Sequence, residues 1–365
     1  KKEQKVQARV NKKENKGKKV KVKKEKKERK KWSTRKKVFT SLSVLFVLGV
    51  SCFLFLFYGP WNGFRNFWIT SAMTTMSHQY LATWFYDDET IQKVLKSNGV
   101  IEVSNSDAIQ FKKYTTAIYR NEYDKDVLTK DPGNDLYKVI DIKGPTYSGF
   151  LVVVYDPSKI HIATTKYLGS RGESILTVAK RENAIIAMNA GGFYDPDWNS
   201  NGGQPHGTVF SRGKVVSDFI DAGMGGGFIG FTNENKLILG RMNKQQAIDT
   251  GYRDAVEFGP YLIVNGKRSF YKGNGGWGIA PRTAIGQRQD GIVLMLVING
   301  RLATSLGADM IDLTDIMERY GAYNAANLDG GSSSELVING EIINTPVAGG
   351  KYGLRDMSTF WVVKA

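Results

Sequence analysis

The sequence is nearly devoid of cysteine, with one residue of this type, Cys52, among 365. A single thiol cannot form a disulfide within the chain, which excludes the class of small secreted domains that are stapled by disulfides. Cys52 lies inside an apolar run, and no cysteine follows it. If the region after that run is exported, the absence of disulfides fits a bacterial envelope protein better than an animal ectodomain.

Excess charge is also missing from most of the chain. The formal net charge is +16, but residues 1–37 alone contain 20 Lys or Arg and 4 Glu. Residues 38–365 contain 31 basic and 31 acidic side chains. Because a globular nucleic-acid binder carries its basic patch on its folded part, this distribution argues against a nucleic-acid partner. We interpret residues 1–37 as a disordered cytoplasmic tail beside anionic lipid.

Charge is absent altogether from residues 38–58, a run of 21 residues, and the next charged residue is Arg65. That length suits a hydrocarbon core of roughly 30 Å. The run is too long for the apolar part of a cleavable signal peptide, and no A-x-A-like cleavage site follows it. Basic residues crowd its N-terminal flank, so the positive-inside rule predicts a single-pass transmembrane helix with its N-terminus in the cytoplasm and residues 59–365 outside the cell membrane.

Residues 59–136 are predicted to form an extracellular helical stalk and linker. Apolar side chains between residues 67 and 85 recur at steps of three and four, which is helical spacing. A second helix is predicted in "DDETIQKVLKSNG", which begins with acidic residues and ends at a glycine. A partner-binding helix is the alternative to a stalk. His78 has no second ligand-type side chain at helical spacing, so we interpret it as structural.

From residue 137 onward, short Val- and Ile-rich runs alternate with Gly, Asn and Asp, which predicts strands. The runs are "YKVIDI", "GFLVVVYDP", "KIHIATT", "AIIAMNA", "GGFIGFT", "KLILG", "YLIVNGK", "GIVLMLVING", "SELVING" and "FWVVK". Two segments have helical periodicity instead, "GESILTVAKREN" and "DMIDLTDIMERYG", the second with Asp309 as N-cap. "NGK" at 265 and "NGR" at 299 suit turns. We therefore predict an α+β domain over 137–365, with a mixed, largely antiparallel sheet and flanking helices.

Three glycine-dense segments contain the candidate functional residues: "MNAGGFYDPDWNSNGGQPHG" (188–207), "GWGIAPRTAIGQ" (276–287) and "NAANLDGGSSSE" (324–335). Glycine lets a ligand approach the backbone while polar side chains stay available. They offer a guanidinium for phosphate, a carboxylate for catalysis, and hydroxyls and amides for sugar. The catalytic candidates are Asp329, Arg282, His206 and, outside these segments, Glu257. The substrate-binding candidates are Asn189, Gly191, Gly192, Phe193, Thr283, Asn327, Gly330, Gly331, Ser332 and Ser333.

Structural roles are the alternatives for three of the catalytic candidates. Asp329 could hold backbone amides in a turn, and Arg282 could form a surface salt bridge. Glu257 lies in an apolar run, where it is either a satisfied buried carboxylate or an acid with a raised pKa. The segment "NLDGGSSSE" lacks the Lys of a nucleotide P-loop and does not match G-x-S-x-G, which argues against a nucleotide site and a serine nucleophile.

A calcium loop is suggested by part of the first glycine-dense segment. Asp197, Asn199, Asn201 and Gly202 match D-x-[DN]-x-[DN]-G, but Thr208 occupies the twelfth position, where an EF-hand needs Glu. We therefore favour an Asx-rich turn beside a binding cleft. A divalent-cation site of another kind is the alternative, and no cofactor is predicted to be required. The candidate ligands for that alternative are Asp195, Asp197, Asn199 and Asn201.

Together, "MNAGGFY", "PRTAIG" and "GAYNAANLDGGSSSELVING" resemble the phosphodiester glycosidase family, over roughly residues 145–365. The last motif is the most specific of the three. The resemblance implies hydrolysis of a sugar-1-phosphodiester. Many relatives have Gly where this chain has Ser332, and "DPDWNSNGGQPHG" looks like a loop of one subgroup.

The combination predicts a membrane-anchored extracellular hydrolase that acts on a cell-envelope glycopolymer or exopolysaccharide. Expulsion of an anionic phosphomonoester from C1 needs less help from a general acid, so one carboxylate and phosphate-binding cations could suffice. We expect Arg282 to bind phosphate, assisted by His206, and Asp329 to act at C1. The alternative is a non-catalytic glycan-binding or scaffold protein in an envelope polysaccharide synthesis complex, with other biosynthesis proteins as partners.

Overall fold

The protein is described by a computed structural model that covers residues 33–73, 75, 78–97, 105–107, 109–112, 121–195, 200–219, 227–269 and 276–365. Its contacts divide the chain into two compact units, Lys1–Tyr58 and Gly59–Ala365. Most of the predicted basic tail, residues 1–32, lies outside the described residues.

The first unit contains one long helix, α1 (Thr34–Tyr58). Its most apolar 18-residue window has a mean hydropathy of 2.3, and its length suffices to cross a membrane. Large apolar side chains such as Phe39, Phe46 and Leu48 are exposed along it. The helix contains the predicted span of residues 38–58 and begins four residues earlier. It has the length and composition of a membrane span or a signal anchor.

The second unit begins with helices α2 (Asn62–Met73), α3 (Tyr80–Thr83), α4 (Asp88–Ser97) and α5 (Glu122–Leu128). The continuous helix suggested by the apolar spacing between 67 and 85 is interrupted after α2. There the Thr75 hydroxyl donates to the Ala72 carbonyl at 2.8 Å and accepts the His78 N–H at 3.1 Å. Such side-chain bonds compete with the helical ladder, which explains the break. Helix α4 confirms the second predicted helix.

The segment that precedes residue 137 packs on the region that follows it. The Ser106 N–H donates to the Leu239 carbonyl at 2.7 Å, and the Lys112 N–H donates to the Gln289 carbonyl at 2.7 Å. Ile109 is fully buried in the largest apolar core. Residues 59–136 therefore belong to the same compact unit as the sheets, and the domain boundary placed at residue 136 stays a prediction.

The strands are β1 (Tyr137–Lys143), β2 (Ser148–Val154), β3 (Ile160–Thr164), β4 (Ala184–Asn189), β5 (Gly207–Ser211), β6 (Lys214–Phe219), β7 (Gly227–Thr232), β8 (Leu237–Gly240), β9 (Tyr252–Phe258), β10 (Tyr261–Val264), β11 (Lys267–Arg268), β12 (Arg282–Arg288), β13 (Val293–Ile298), β14 (Ala322–Asn327), β15 (Leu336–Ile338), β16 (Glu341–Ile342) and β17 (Thr359–Lys364). The helices among them are α6 (Ile175–Glu182), α7 (Lys244–Thr250) and α8 (Met310–Arg319). Short 3-10 turns cover Pro157–Lys159, Gly331–Ser333 and Lys351–Gly353.

These strands form three sheets, and in the described part of the chain the neighbouring strands within each sheet pair antiparallel. Their orders are β1-β2-β13-β12-β14-β10-β11, β16-β15-β4-β17-β3 and β6-β5-β9-β7-β8. The predicted α+β class with largely antiparallel pairing is confirmed. The strands are distributed over three sheets instead of the single substantial sheet that the sequence suggested.

The three sheets share one apolar core, to which each contributes buried side chains such as Met295, Trp361 and Ile229. Helix α8 covers the outer face of the seven-stranded sheet through Met310, Leu313 and Ile316. Helix α6 covers the sheet that contains β4 in the same way. The helices thus bury one face each, as their periodicity predicts.

Each of the ten predicted runs contains a strand, whereas β5, β6, β9, β12, β14 and β16 lie outside these runs. Strand β14 has the sequence "AYNAAN", whose Ala and Asn residues have low β-propensity. It forms because it lies between β12 and β10 inside a sheet. Asn265 has positive φ as predicted for its turn, but in the segment after β13 the positive φ falls on Arg301 instead of Asn299.

Candidate active site

The three glycine-dense segments meet where β4 and β14 end and β12 begins. Strands β12 and β14 run antiparallel, with Ala284 opposite Asn327. Strand β4 belongs to another sheet, and the two sheets are joined there because the Asp329 N–H donates to the Ala190 carbonyl at 3.1 Å. Segments that are up to about 140 residues apart in the chain therefore form one site.

A cavity of about 1340 Å³ opens at this junction. Its wall includes many of the residues expected from the sequence. They are Gly192, Phe193, Asp195, Asn201, His206, Arg282, Asp329, Gly330, Gly331 and Ser332. The carboxyl, guanidinium, hydroxyl and imidazole groups that were predicted to act together thus share one concave surface.

Asp329 lies in the cavity wall just after β14 and is partly exposed. One carboxylate oxygen accepts the Gly330 N–H at 2.9 Å. Burial raises the pKa of Asp329 to about 6, with a smaller contribution from Asp195, while the Ser333 hydroxyl, Arg355 and the Gly330 N–H act in the opposite direction. The carboxyl therefore titrates near neutral pH, as a catalytic acid or base requires.

Asn189 holds Asp329 from behind the cavity wall. Its amide donates to the Asp329 carbonyl at 2.6 Å, and its oxygen accepts the Thr283 hydroxyl at 2.8 Å and the Glu335 N–H at 3.2 Å. Asn189 and Thr283 are buried and are not part of the cavity wall. The same holds for Gly191, Asn327 and Ser333, so these five candidates do not face the cavity in this structure.

Arg282, the first residue of β12, is buried at the cavity wall. Its Nε donates to the Ala308 carbonyl at 3.2 Å, and its Nη2 donates to the carbonyls of Trp277 and Gly278 at 2.5 and 2.7 Å. Burial lowers the pKa of Arg282 to about 10, so the group stays charged at neutral pH. Asp309, the N-cap of α8, is the carboxylate that favours this charge electrostatically.

Three further cations line the cavity and were not recognised in the sequence: Arg301, Lys351 and Arg355. Arg301 donates to the Ser332 hydroxyl at 3.1 Å, and burial lowers its pKa. Arg355 lies over the Phe193 ring at 4.5 Å and pairs with Asp195. The only available signal was position, because Arg301 follows a buried strand at the same end of the sheet as Arg282.

Two of the four candidate metal ligands, Asp195 and Asn201, have partners within the protein. Asp195 accepts the Ser200 N–H at 2.7 Å besides pairing with Arg355. Asn201 donates to the Ser170 carbonyl at 2.6 Å. Asp197 and Asn199 lie outside the described residues. Within the described residues no group of three or more His, Cys, Asp or Glu side chains could hold a metal ion.

His206 and Glu257, the other catalytic candidates, have different surroundings. His206 is buried in the cavity wall, with its ring 6.1 Å from that of Tyr194. Glu257 is not part of the cavity wall, and its carboxylate accepts the Thr208 N–H at 2.7 Å. Of the two alternatives left open for Glu257, the satisfied carboxylate agrees with this contact.

Glu335 is a second unusual carboxyl that the sequence did not reveal. It is fully buried behind the cavity, and one oxygen accepts the Arg355 N–H at 2.7 Å. The other oxygen has no hydrogen-bond partner among the described residues. Burial raises the pKa of Glu335 to about 8, so it is protonated at neutral pH. Its position next to Asn189 places a neutral carboxyl group beneath the site.

Comparison with known proteins agrees with this site. The family model of phosphodiester glycosidase matches residues 182–364, which include β4, β12 and the Asp329 loop. The chain belongs to the phosphodiester glycosidase family. This family is hydrolytic.

Curated relatives match the same half of the chain. The SPbeta prophage-derived uncharacterized protein YomE of Bacillus subtilis (strain 168) is 31% identical over 199 residues, which are 52% of this chain and 30% of that protein. The N-acetylglucosamine-1-phosphodiester alpha-N-acetylglucosaminidase of Bos taurus is 25% identical over 195 residues, which are 48% of this chain and 35% of that protein. The match spans about a third of the length of these relatives.

A solved structure shows the same fold. It is the catalytic domain of the zebrafish N-acetylglucosamine-1-phosphodiester alpha-N-acetylglucosaminidase, auto-inhibited by its pro-peptide. The TM-score is 0.53 at 20% sequence identity, over 65% of this chain and 86% of that chain. At this identity the likeness concerns the fold alone.

Proposed function

We propose that the protein is a membrane-anchored extracellular hydrolase that cleaves a sugar-1-phosphodiester bond in a cell-envelope glycopolymer or exopolysaccharide. The observation that carries the proposal is that Asp329, Arg282 and Arg301 line one cavity. A carboxyl group that titrates near pH 6 lies there beside guanidinium groups suited to a phosphate anion. Membership of a hydrolytic family supports the reaction class.

The chemistry needs one carboxylate and a bound phosphodiester. Arg282 and Arg301 hold the phosphate, and the C1–O bond breaks so that its electron pair stays on the phosphate oxygen. Asp329 attacks C1 as a nucleophile, activates water as a base, or stabilises the cationic transition state. In each case water supplies the hydroxyl of the free sugar and a proton. The departing phosphomonoester is already anionic, so a strong general acid is not required.

The buried polar residues position this carboxylate. Asn189 fixes the backbone of Asp329, and Thr283 fixes the amide of Asn189. A catalytic group has to be held close to its productive geometry by residues that support it. We therefore give Asn189 and Thr283 positioning roles.

The apolar helix of the first unit and the charge distribution support the proposed cellular setting. Helix α1 anchors the protein, with the basic tail in the cytoplasm and residues 59–365 outside. Those residues carry nearly balanced charge, which lets an anionic polymer approach without strong electrostatic trapping.

The test uses the full chain in detergent on a panel of sugar-1-phosphodiesters, with and without EDTA. Release of free sugar and phosphomonoester is the expected result, and Asp329→Asn should lower kcat by about 10²- to 10⁴-fold. Asp141→Asn changes an exposed carboxylate of β1 and is the matched control. A folded wild-type protein that releases sugar from no substrate, or an Asp329→Asn variant with normal turnover, would overturn the proposal and favour a glycan-binding or scaffold role.

A further inference from the structure

Part of the cavity wall comes from outside the family match. Ser71, Thr75 and His78 line the cavity together with the Asp329 loop, although the family model begins at residue 182. These residues lie at the end of α2 and in the segment after it. The reaction proposed above does not use them, so their presence in the wall calls for another role.

Close packing connects this segment to the loop that holds Arg282. Gly278 has a φ of +58°, and a Cβ atom there would lie 2.6 Å from Ser71 Cα. Only glycine allows this approach, because any side chain would collide with the backbone of Ser71. The Gly278 carbonyl accepts from Arg282 Nη2 at 2.7 Å. A single residue, Gly278, therefore connects helix α2 with Arg282, the proposed phosphate-binding residue.

Ser71 lies in the last turn of α2 and is partly buried, whereas Ile69 and Ala72 of the same helix are buried. The Thr75 hydroxyl accepts the His78 N–H at 3.1 Å, which orders the backbone beneath the His78 ring. Hydroxyl and imidazole groups can each donate or accept a hydrogen bond, as the recognition of sugar hydroxyls requires. Trp277 adds an aromatic face to the same wall.

The size of the cavity agrees with a substrate longer than one sugar phosphate. Pockets for single drug-sized ligands have volumes of roughly 300–1,000 Å³. The cavity described above, at about 1340 Å³, exceeds that range. The cavity as a whole therefore has room for a group beyond the one that reacts at Asp329.

We propose that Ser71, Thr75 and His78 form a subsite for a second sugar or polyol unit of the substrate, and so determine specificity for polymer over short diesters. This inference rests on the proposed function for the identity of the reacting bond. It makes the region before the catalytic domain part of the substrate site instead of a simple stalk.

The experiment compares two diesters of one sugar 1-phosphate, one with methanol and one with a second hexose. We expect His78→Ala, in the full chain, to lower the ratio of kcat/KM for the long diester to that for the short one by about fivefold to tenfold, mainly through KM. His78→Gln keeps a hydrogen-bonding side chain and should restore much of the ratio. Gln79→Ala changes an exposed neighbour outside the wall and should leave the ratio unchanged.

An unchanged ratio in His78→Ala, or an equal loss in Gln79→Ala, would overturn the subsite. If the wild-type protein hydrolyses neither diester, the proposed function fails and the subsite is tested by calorimetric binding of the long diester. Weaker binding by His78→Ala than by Gln79→Ala would then support the subsite. Equal binding, or none by the wild-type protein, would overturn it.

Discussion

The two ends of strand β12 each contain a buried arginine, and the two have opposite surroundings. At one end Arg288 is paired with Asp124 at 2.9 Å and Asp290 at 2.8 Å, and it donates to the Tyr320 carbonyl at 2.7 Å. At the other end Arg282 donates to three backbone carbonyls and has no ion pair among the described residues. Among the described residues, carboxylates therefore neutralise the arginine at one end of β12 and leave the arginine at the other end without an ion pair.

The difference distinguishes a structural charge, that of Arg288, from the charge of Arg282, for which we propose a function. A buried cation needs a negative partner, and Arg288 obtains two from the protein itself. Arg282 is held in place by neutral groups beside a cavity, so its charge is available to an anion from outside. A guanidinium without an ion pair can form charge-assisted hydrogen bonds with a phosphate that enters the cavity.

Loss of the structural arginine should have the largest effect. Arg288→Met leaves the buried Asp124 and the partly buried Asp290 without their cation, and we expect the free energy of unfolding to fall by about 3–5 kcal/mol. Denaturant unfolding of residues 59–365 within the full chain measures this. Unchanged stability with lost activity would reverse the assignment of the two arginines.

The functional arginine should show the opposite profile. Arg282→Lys keeps a cation but cannot serve all three carbonyls and a phosphate, so kcat/KM should fall about 100-fold. The thermal midpoint should change less than in Arg288→Met. Steady-state kinetics and thermal melts of both variants make the comparison. An Arg282→Lys variant that has the same thermal midpoint as Arg288→Met and the same kcat/KM as the wild-type protein would contradict this prediction.

A third expected effect is on pH dependence, at the cavity end of β12. Because burial raises the pKa of Asp329 to about 6, its reactive carboxylate is mostly protonated at pH 5 and mostly ionised at pH 7. The value of kcat/KM should therefore rise about tenfold between these pH values and level off above them. A rate that falls over the same range would mean that Asp329 acts as an acid.

The smallest expected effect concerns Glu335, which lies beneath the cavity at the Arg282 end of β12. Its folded pKa of about 8 exceeds the ordinary value of 4.5, so its contribution to stability is complete below pH 4.5 and is lost as the pH rises to about 8. The Gln side chain of Glu335→Gln is neutral at both pH 5 and pH 8. The thermal midpoint of this variant, relative to that of the wild-type protein, should therefore be about 4 °C higher at pH 8 than at pH 5. Glu341→Gln, at an exposed carboxylate of β16, should show no such gain. A constant difference across this range would contradict a raised pKa.

Local signals account for the parts of the fold that were predicted correctly. Helix α8 begins after Asp309, whose side chain accepts the Asp312 N–H at 2.9 Å in a capping box, as its sequence indicates. Apolar strands such as β13 and β17 are recognisable because burial on both faces demands continuous Val, Ile and aromatic residues. Strand β14 was missed because its pairing partners, and not its own residues, stabilise it.

The site was predicted less completely than the fold. Glycine-dense segments after strands indicated Asp329 and Arg282, since glycines and a single charge next to an apolar strand can be recognised in the sequence alone. No such local sequence pattern indicates Arg301, Arg355 or Glu335. Their importance comes from distance to Asp329 or from burial, which depend on how the sheets meet.

The sequence by itself determined the apolar helix, the charge distribution, the antiparallel α+β class and the family. These properties depend on composition and on spacing along the chain. The tertiary structure alone decided which polar residues face the cavity and which lie behind it, as with Arg301 and Asn189. It also decided that α2 forms part of the wall, because contacts between distant segments follow from packing and not from local sequence.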